Sequence, residues 1–228
     1  MVTDLYLIRH GEAISNVQPV IAGLRSDQGL TERGHHQAAL LEERLRVDGL
    51  GADVLYVSTL RRAAETGEYV ARALRLPVQH TDDLHELRPG DADGLTIDEW
   101  RARADRDVPP RDPFQAFSPG GESWGSFLLR AEAALMSLVA RHEDQTVVAV
   151  CHGGVLEASF YLAFGLGASA QRVAFDPLNT SITQWRHRRG PQGESNWTLV
   201  TFNDAGHLAG AVDADSPHTG IPTPVDED

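Results

Sequence analysis

Two histidines of this sequence each follow a run of apolar residues and precede a glycine. His10 comes after residues 5–8 and Arg9, and His152 comes directly after residues 147–151. Runs of four or five apolar residues are typical of strands that are buried on both faces of a parallel sheet. Because ligands bind beyond the carboxyl ends of such strands, we expect both imidazoles at one edge of a sheet.

These side chains suit the covalent transfer of an anionic group. An imidazole can act as a nucleophile, and the guanidinium of Arg9 can hold an anion through paired hydrogen bonds. A glycine after the histidine lets the backbone turn and approach a ligand closely. A single histidine at a strand end is more often structural, so the prediction depends on His10 and His152 together with Arg9.

The composition limits the classes of protein to which this chain can belong. Its 228 residues suffice for one substantial domain, and its net charge of −13 argues against nucleic acid or an anionic membrane as partner. All basic side chains are arginine, which excludes a Schiff-base or P-loop lysine. The one cysteine, Cys151, excludes an internal disulfide. Without a signal-peptide pattern or a membrane-length apolar run, the sequence predicts a cytoplasmic protein.

Helix and strand patterns alternate along the rest of the chain. Helices are expected at Thr31–Gly49, Leu60–Leu74, Thr96–Asp105, after Ser123, and at Val155–Phe164. Further strands are expected at Val54–Val57, Val78–His80, Ser181–Trp185 and Trp197–Phe202. Ser58 and Thr59 are interpreted as N-cap residues of the second helix. This alternation predicts an α/β fold, a three-layer α/β/α sandwich with a mostly parallel sheet.

The predicted domain covers residues 1–203. Within it, residues 108–113 are rich in proline and predict a small irregular lid, about 96–120, over the strand tips. Residues 204–228 are acidic and lack periodicity, so we expect a disordered tail.

Taken in order, the motifs of residues 3 to about 203 resemble those of the histidine phosphatase superfamily, the phosphoglycerate mutase-like proteins. The similar motifs are Arg9-His10-Gly11-Glu12 with Asn16, Leu30-Thr31-Glu32 with Gly34 and Gln37-Ala38, Ser58 to Thr66, Leu84-His85-Glu86 with Asp93 to Thr96, Gly120-Gly121-Glu122-Ser123, and His152-Gly153-Gly154. One such motif is weak, but six in this order are specific.

The resemblance implies phosphoryl transfer through a phosphohistidine. His10 would be the nucleophile, and Arg9, Arg62 and His152 would hold the phosphoryl oxygens where charge accumulates. Glu86 would protonate the leaving alcohol and then activate water. Because side chains would cage the phosphate, the resemblance implies no metal and no cofactor.

The proposed roles require defined protonation states. His10 must be neutral, which repulsion from the adjacent arginines would favour, whereas a protonated imidazole is expected to help at His152. Asp83 and Asp93 are rivals of Glu86 for the role of acid, because they lie in the same polar loop.

Other motif residues have weaker assignments. The family motif makes a substrate hydrogen bond the expected role of Asn16, with a loop cap as the alternative, and Gly153 is expected to contact the phosphate. Arg61 is expected to face solvent or a surface acid, leaving Arg62 for the phosphate.

Three functions share these motifs: a phosphomonoesterase, a cofactor-dependent phosphoglycerate mutase, and an inert relative that binds a phospho-ligand. The complete set of reactive residues argues against the inert relative. In the lid, Arg101, Arg103, Arg106 and Arg111 alternate with acidic residues. Since a mutase must grip a second phosphate, this near-neutral lid favours hydrolysis of a phosphorylated small molecule. The sequence does not determine the oligomeric state.

Overall fold

A six-stranded sheet forms the centre of the computed structural model, which describes residues 1–103, 112–168 and 175–209. The strands are β1 (Val2–Arg9), β2 (Val54–Ser58), β3 (Val78–Thr81), β4 (Thr146–Cys151), β5 (Ile182–Arg189) and β6 (Ser195–Asp204). The helices are α1 (Ile14–Val17), α2 (Glu32–Asp48), α3 (Arg61–Leu74), α4 (Ile97–Arg103), α5 (Trp124–Arg141) and α6 (Gly153–Phe164).

The strand order is β3-β2-β4-β1-β5-β6. The first four strands in this order are parallel, while β5 and β6 run antiparallel at one edge. This arrangement confirms the predicted α/β sandwich with a mostly parallel sheet.

Alternating side chains of the central strands form two separate hydrophobic cores. Leu5 and Leu7 of β1 pack in a core with α5 and α6, whereas Ile8 packs in a core with α2 and α3. In the same way, Val147 and Val150 of β4 belong to different cores. Helices therefore cover both faces, as the near-continuous apolar runs of these strands predict.

The two histidines flank a crevice between neighbouring strands. β1 and β4 pair in parallel, with Arg9 opposite Cys151. The chain continues from β1 to α2, which covers one face of the sheet, and from β4 to α6, which covers the other face. Because the connections diverge, a crevice opens at the carboxyl ends of the two strands, where His10 and His152 begin the loops.

Two helix starts differ from the sequence-based expectation. Leu60 is the N-cap of α3 without a side-chain cap, so the interpretation of Ser58 and Thr59 as caps was wrong. Their hydroxyls are hydrogen-bonded to His152 and His85 instead. Helix α6 already begins at Gly153, because its N-cap residue is the extended His152.

The lid and the tail are described only in part. Trp100 of α4 stacks on Phe117 with ring centroids 4.5 Å apart, so the two described ends of the expected lid pack together. The proline-rich centre of the lid and most of the tail lie outside the described residues. Residues Gly206–Leu208 form a 3₁₀ turn. In the described ranges, no helix combines the length and apolarity needed to cross a membrane.

Candidate active site

His10 lies at the tip of β1 and is almost fully buried. Its Nδ1 is 2.6 Å from the carbonyl oxygen of Gly11. A carbonyl can only accept, so Nδ1 must carry the proton and Nε2 must carry the lone pair. The Nε–H of Arg62 donates to this Nε2 at 3.2 Å. The local backbone therefore sets the tautomer that a nucleophile needs.

The pKa of His10 is lowered well below its ordinary value. Burial is the main cause, and the nearby charges of Arg62 and Arg9 add to it. Both effects favour the expected neutral imidazole, and burial contributes more than the predicted repulsion.

Two buried guanidiniums adjoin the His10 ring. Nη1 of Arg62 is 2.9 Å from Oδ2 of Asp27, and an N–H of Arg9 donates to the carbonyl oxygen of Pro177. Nε of Arg9 is buried without a hydrogen-bond partner in the described structure. Asp27 thus pairs directly with Arg62, whereas Glu86 and Asp176 act on Arg9 through charge. The buried donor left on Arg9 suits an anion.

His152 is completely buried, and its ring centroid lies 5.1 Å from that of His10. Its Nε2 is 2.8 Å from Oγ of Ser58, while its buried Nδ1 has no partner among the described residues. Burial, followed by the charge of Arg62, lowers its pKa well below the ordinary value. Both effects disfavour the expected protonated His152. The sequence does not reveal how deeply the ring is buried.

Glu86 reaches the same crevice from the loop after β3. Its Oε2 accepts the backbone N–H of Gly154 at 2.9 Å, and its Oε1 accepts that of Leu87 at 2.9 Å. The carboxylate is therefore fixed beside the first turn of α6, next to His152.

The rival acids are engaged elsewhere. Asp93 accepts hydrogen bonds from the backbone of Gly23, Arg25 and Ser26 and from the Ser26 hydroxyl. Burial raises the pKa of Asp93, but these hydrogen bonds outweigh it and hold the pKa below its ordinary value. Asp83 is exposed. The geometry thus favours Glu86 as the acid.

Arg130 of α5 holds the loop that carries Glu86 through hydrogen bonds to the loop backbone. Its guanidinium donates to the carbonyl oxygens of Asp83 at 2.8 Å, His85 at 3.0 Å and Glu86 at 3.2 Å. Glu122 holds the same guanidinium through two contacts of 2.7 Å. This gives the Gly-Gly-Glu-Ser motif a structural role in positioning the acid.

The segment before β5 supports the backbone at Arg9 and His10. The backbone N–H of Thr180 donates to the carbonyl oxygen of Arg9 at 3.0 Å, and Nδ2 of Asn179 donates to that of His10 at 3.0 Å. Thr180 has a φ of 59°, a conformation that costs a β-branched residue roughly 1–3 kcal/mol. Surrounding contacts hold this strain next to His10.

The remaining motif residues have mixed placements. Oδ1 of Asn16 accepts a backbone N–H at the start of α1, as a helix cap does, so its contact with substrate stays a prediction. Gly153 lies beside Arg9, where an added Cβ would be 3.8 Å from Nε. Arg61 has a 64% exposed side chain paired with Glu65, as expected.

Sequence reasoning missed several supporting residues. Ser58 directly follows a buried strand, which was a usable signal, but its capping propensity suggested another role. Asp27 and Arg130 gave no signal, since their partners lie far away in the sequence. The described residues contain no group of three or more His, Cys, Asp and Glu side chains that could hold a metal ion.

Comparisons with known proteins agree with the motif resemblance. The sequence matches the family model of the histidine phosphatase superfamily (branch 1) over residues 5–205. It is 32% identical over 197 residues to a 2,3-bisphosphoglycerate-dependent phosphoglycerate mutase of Brucella canis, covering 80% of this chain and 90% of the relative.

The similar solved structures include phosphatases. A mycobacterial glucosyl-3-phosphoglycerate phosphatase has a TM-score of 0.72 and 27% identity, covering 89% of this chain and 99% of the other. A mutant phosphoserine phosphatase of Entamoeba histolytica, solved with phosphoserine, has a TM-score of 0.70 and 25% identity, covering 90% and 99% of the two chains.

Proposed function

The chain belongs to the histidine phosphatase superfamily, and we propose that it hydrolyses a phosphomonoester through a phosphohistidine on His10. One observation carries the proposal: Nε2 of His10 holds an unprotonated lone pair in a buried cluster with Arg9, Arg62 and His152. A neutral nucleophile among cationic and hydrogen-bonding groups suits attack on a phosphate dianion.

In the first step, Nε2 of His10 attacks phosphorus and the bond to the leaving oxygen breaks. Arg9 and Arg62 stabilise the equatorial oxygens. Nδ1 of His152, which has no partner in the described structure, is a further group for these oxygens. Glu86 in its protonated form donates its proton to the departing alkoxide. Asn16 and Gly153 contact the phosphate or the adjoining part of the substrate.

In the second step, water attacks the phosphoryl group opposite His10. The carboxylate of Glu86 accepts a proton from this water, the phosphorus–nitrogen bond breaks, and inorganic phosphate is released. His10 returns to its neutral form. The reaction proceeds without a metal, because the arginines and His152 supply the electrostatic stabilisation.

The arrangement of nearby arginines favours hydrolysis over the mutase reaction. Arg25 donates to the carbonyl oxygen of Gly90 and lies 3.6 Å from Asp93. Arg88 donates to the carbonyl oxygen of Asp82. Since these cations are already engaged, they are poorly suited to hold the second phosphate of a bisphosphate.

A cofactor-dependent phosphoglycerate mutase is the second candidate. The Brucella relative carries that name at 32% identity, and Arg101 and Arg103 are exposed on α4. Phosphoserine and glucosyl-3-phosphoglycerate are suitable first substrates, since phosphatases of similar structure are named for these compounds. The proposed location is the cytoplasm.

A phosphoenzyme trap tests the proposal. Rapid quenching with 32P-labelled p-nitrophenyl phosphate should give an acid-labile, base-stable phosphoprotein, which His10→Ala does not form. The matched control is His36→Ala, an exposed histidine of α2. Equal labelling of the His10→Ala variant would overturn the assignment, as would activity that EDTA abolishes and a divalent ion restores.

A further inference from the structure

Ser58 is the last residue of β2 and is fully buried against the second histidine of the site. Its Oγ lies 2.8 Å from Nε2 of His152 and 3.4 Å from the backbone nitrogen of Leu60. The backbone N–H of Leu60 can only donate, so it uses one lone pair of the hydroxyl. In the described structure, the hydroxyl proton has no acceptor other than His152.

The two tautomers leave different numbers of polar groups unsatisfied, although Nδ1 has no partner in the described structure in either one. If the Ser58 hydroxyl donates to Nε2, the hydroxyl proton has its acceptor and the neutral ring carries its own proton on Nδ1. In the opposite tautomer, Nε2–H would donate to Ser58, leaving the hydroxyl proton without an acceptor and Nδ1 as a buried bare lone pair. Each such unsatisfied buried group costs about 1–3 kcal/mol.

We propose that Ser58 is a positioning residue that holds His152 as the neutral Nδ1–H tautomer, so that the ring stabilises the transferring phosphoryl group as a hydrogen-bond donor and not as a cation. Nδ1 is the ring nitrogen left without a partner in the described structure, and it is buried beside the His10 ring. A bare Nδ1 lone pair would instead repel phosphoryl oxygens.

The surrounding charges support a neutral ring. Besides burial, Arg62, His10, His85 and Arg9 all lower the pKa of His152. Beside Arg9 and Arg62, a third cation in this cluster would be costly, whereas a neutral N–H donor avoids that repulsion.

The tautomer can be measured directly without substrate. In protein labelled with 15N-histidine, long-range 15N–1H spectra distinguish protonated from bare ring nitrogens, and a His152→Gln variant assigns the signal. We expect a proton on Nδ1 and none on Nε2 at neutral pH. A proton on Nε2, or on both nitrogens, would overturn the proposal.

Variants of Ser58 then test its role. Ser58→Ala should mix or reverse the tautomers and lower kcat about 10²-fold, as does loss of one transition-state donor elsewhere. The control is Ser159→Ala, which removes a buried hydroxyl that contacts Trp185 and not the site. It should leave the His152 signal and kcat unchanged.

Rescue distinguishes tautomer control from packing. Ser58→Thr retains the hydroxyl, so it should keep the Nδ1–H signal and most of the activity. If Ser58→Thr melts like the wild type but loses as much activity as Ser58→Ala, the hydroxyl is not responsible. The expected loss of kcat rests on the proposed phosphoryl transfer, but the tautomer of His152 does not. The spectra therefore test the tautomer even if the proposed function fails, and the kinetic measurements test the function separately.

Discussion

Arg62 and Asp27 form a buried ion pair, with Nη1 2.9 Å from Oδ2 and both side chains no more than 5% exposed. The same carboxylate oxygen accepts the backbone N–H of Arg62 at 3.2 Å. Asp27 therefore fixes the start of α3 and the guanidinium that contacts His10. Without the carboxylate of Asp27, the buried guanidinium of Arg62 would be unpaired and free to move away from His10.

We expect Asp27→Asn to lower both stability and kcat. Asparagine retains an acceptor but loses the charge, so the free energy of unfolding should fall by about 1.5–3 kcal/mol. The kcat should fall at least about 10-fold, since misplaced catalytic groups cost this much or more. The control is Glu43→Gln, which breaks the exposed pair with Arg46 and should cost about 0–1 kcal/mol. Wild-type urea midpoint and kcat in Asp27→Asn would contradict this role.

The 3₁₀ turn at Gly206–Leu208 (the C-terminal turn) should make the free energy of unfolding depend on pH through His207. Burial, and then the charge of Arg44, lowers the pKa of this histidine to about 4, and Nε2 lies 2.9 Å from Oγ of Thr180. The unfolded chain binds the proton from about pH 6.5 downward, so stability should fall as pH falls from about 6.5 to 4. One such group contributes at most about 1.4 kcal/mol per pH unit, and partial exposure makes the expected slope smaller.

Urea unfolding at several pH values between 4.5 and 6.5 measures this slope. His207→Gln should flatten it, whereas the exposed control His36→Gln should not. An unchanged slope in His207→Gln would show that other groups take up the protons.

The sequence predicted that His10 and His152 lie close together, and it did so for a physical reason. His10 and His152 end apolar runs, and such runs dictate both the parallel pairing and the edge at which the histidines meet. The pair of Asp27 with Arg62 could not be predicted, because it depends on how a polar loop folds over α3. The role of Ser58 was missed because its intrinsic capping propensity was overridden by a tertiary contact.

Glu86 and its support should share one kinetic signature. Glu86→Gln should slow the hydrolysis of alkyl phosphates far more than that of p-nitrophenyl phosphate, whose leaving group needs little protonation. Arg130→Met should give the same pattern with a smaller loss, because it removes the hydrogen bonds to the carbonyl oxygens of Asp83, His85 and Glu86. Arg141→Met, on the same helix and exposed, is the control. Equal losses on both substrates would indicate a role in binding or folding.

Two truncations should separate the tail from the C-terminal turn. Chain 1–209 keeps the contact between His207 and Thr180 and should melt like the full chain, because an aperiodic acidic segment does not offset its own ordering entropy. Chain 1–204 loses that contact beside the strained Thr180 and should melt lower. A marked loss of stability in chain 1–209 would show that the tail docks on the domain.

Hydrolysis should exceed the mutase reaction. A mutase must keep water from the phosphohistidine while its intermediate reorients, and it needs cations for a second phosphate. Here Arg25 and Arg88 are held by neighbouring oxygens. The exposed Arg101 and Arg103 lie on α4, whose first turn carries two acidic residues, Asp98 and Glu99.

The deciding measurement compares two rates in one preparation: phosphate release from 3-phosphoglycerate, phosphoserine and sugar phosphates, and conversion of 3- to 2-phosphoglycerate with 2,3-bisphosphoglycerate present. We expect phosphate release from at least one ester to be faster than the conversion of 3- to 2-phosphoglycerate. His10→Ala should abolish both reactions, since both need the phosphohistidine. Arg101→Gln with Arg103→Gln should leave phosphate release within about two-fold, because these side chains are exposed and the proposed hydrolysis does not use them. Conversion hundreds of times faster than any release, and lost in this double variant, would assign the chain to the mutases.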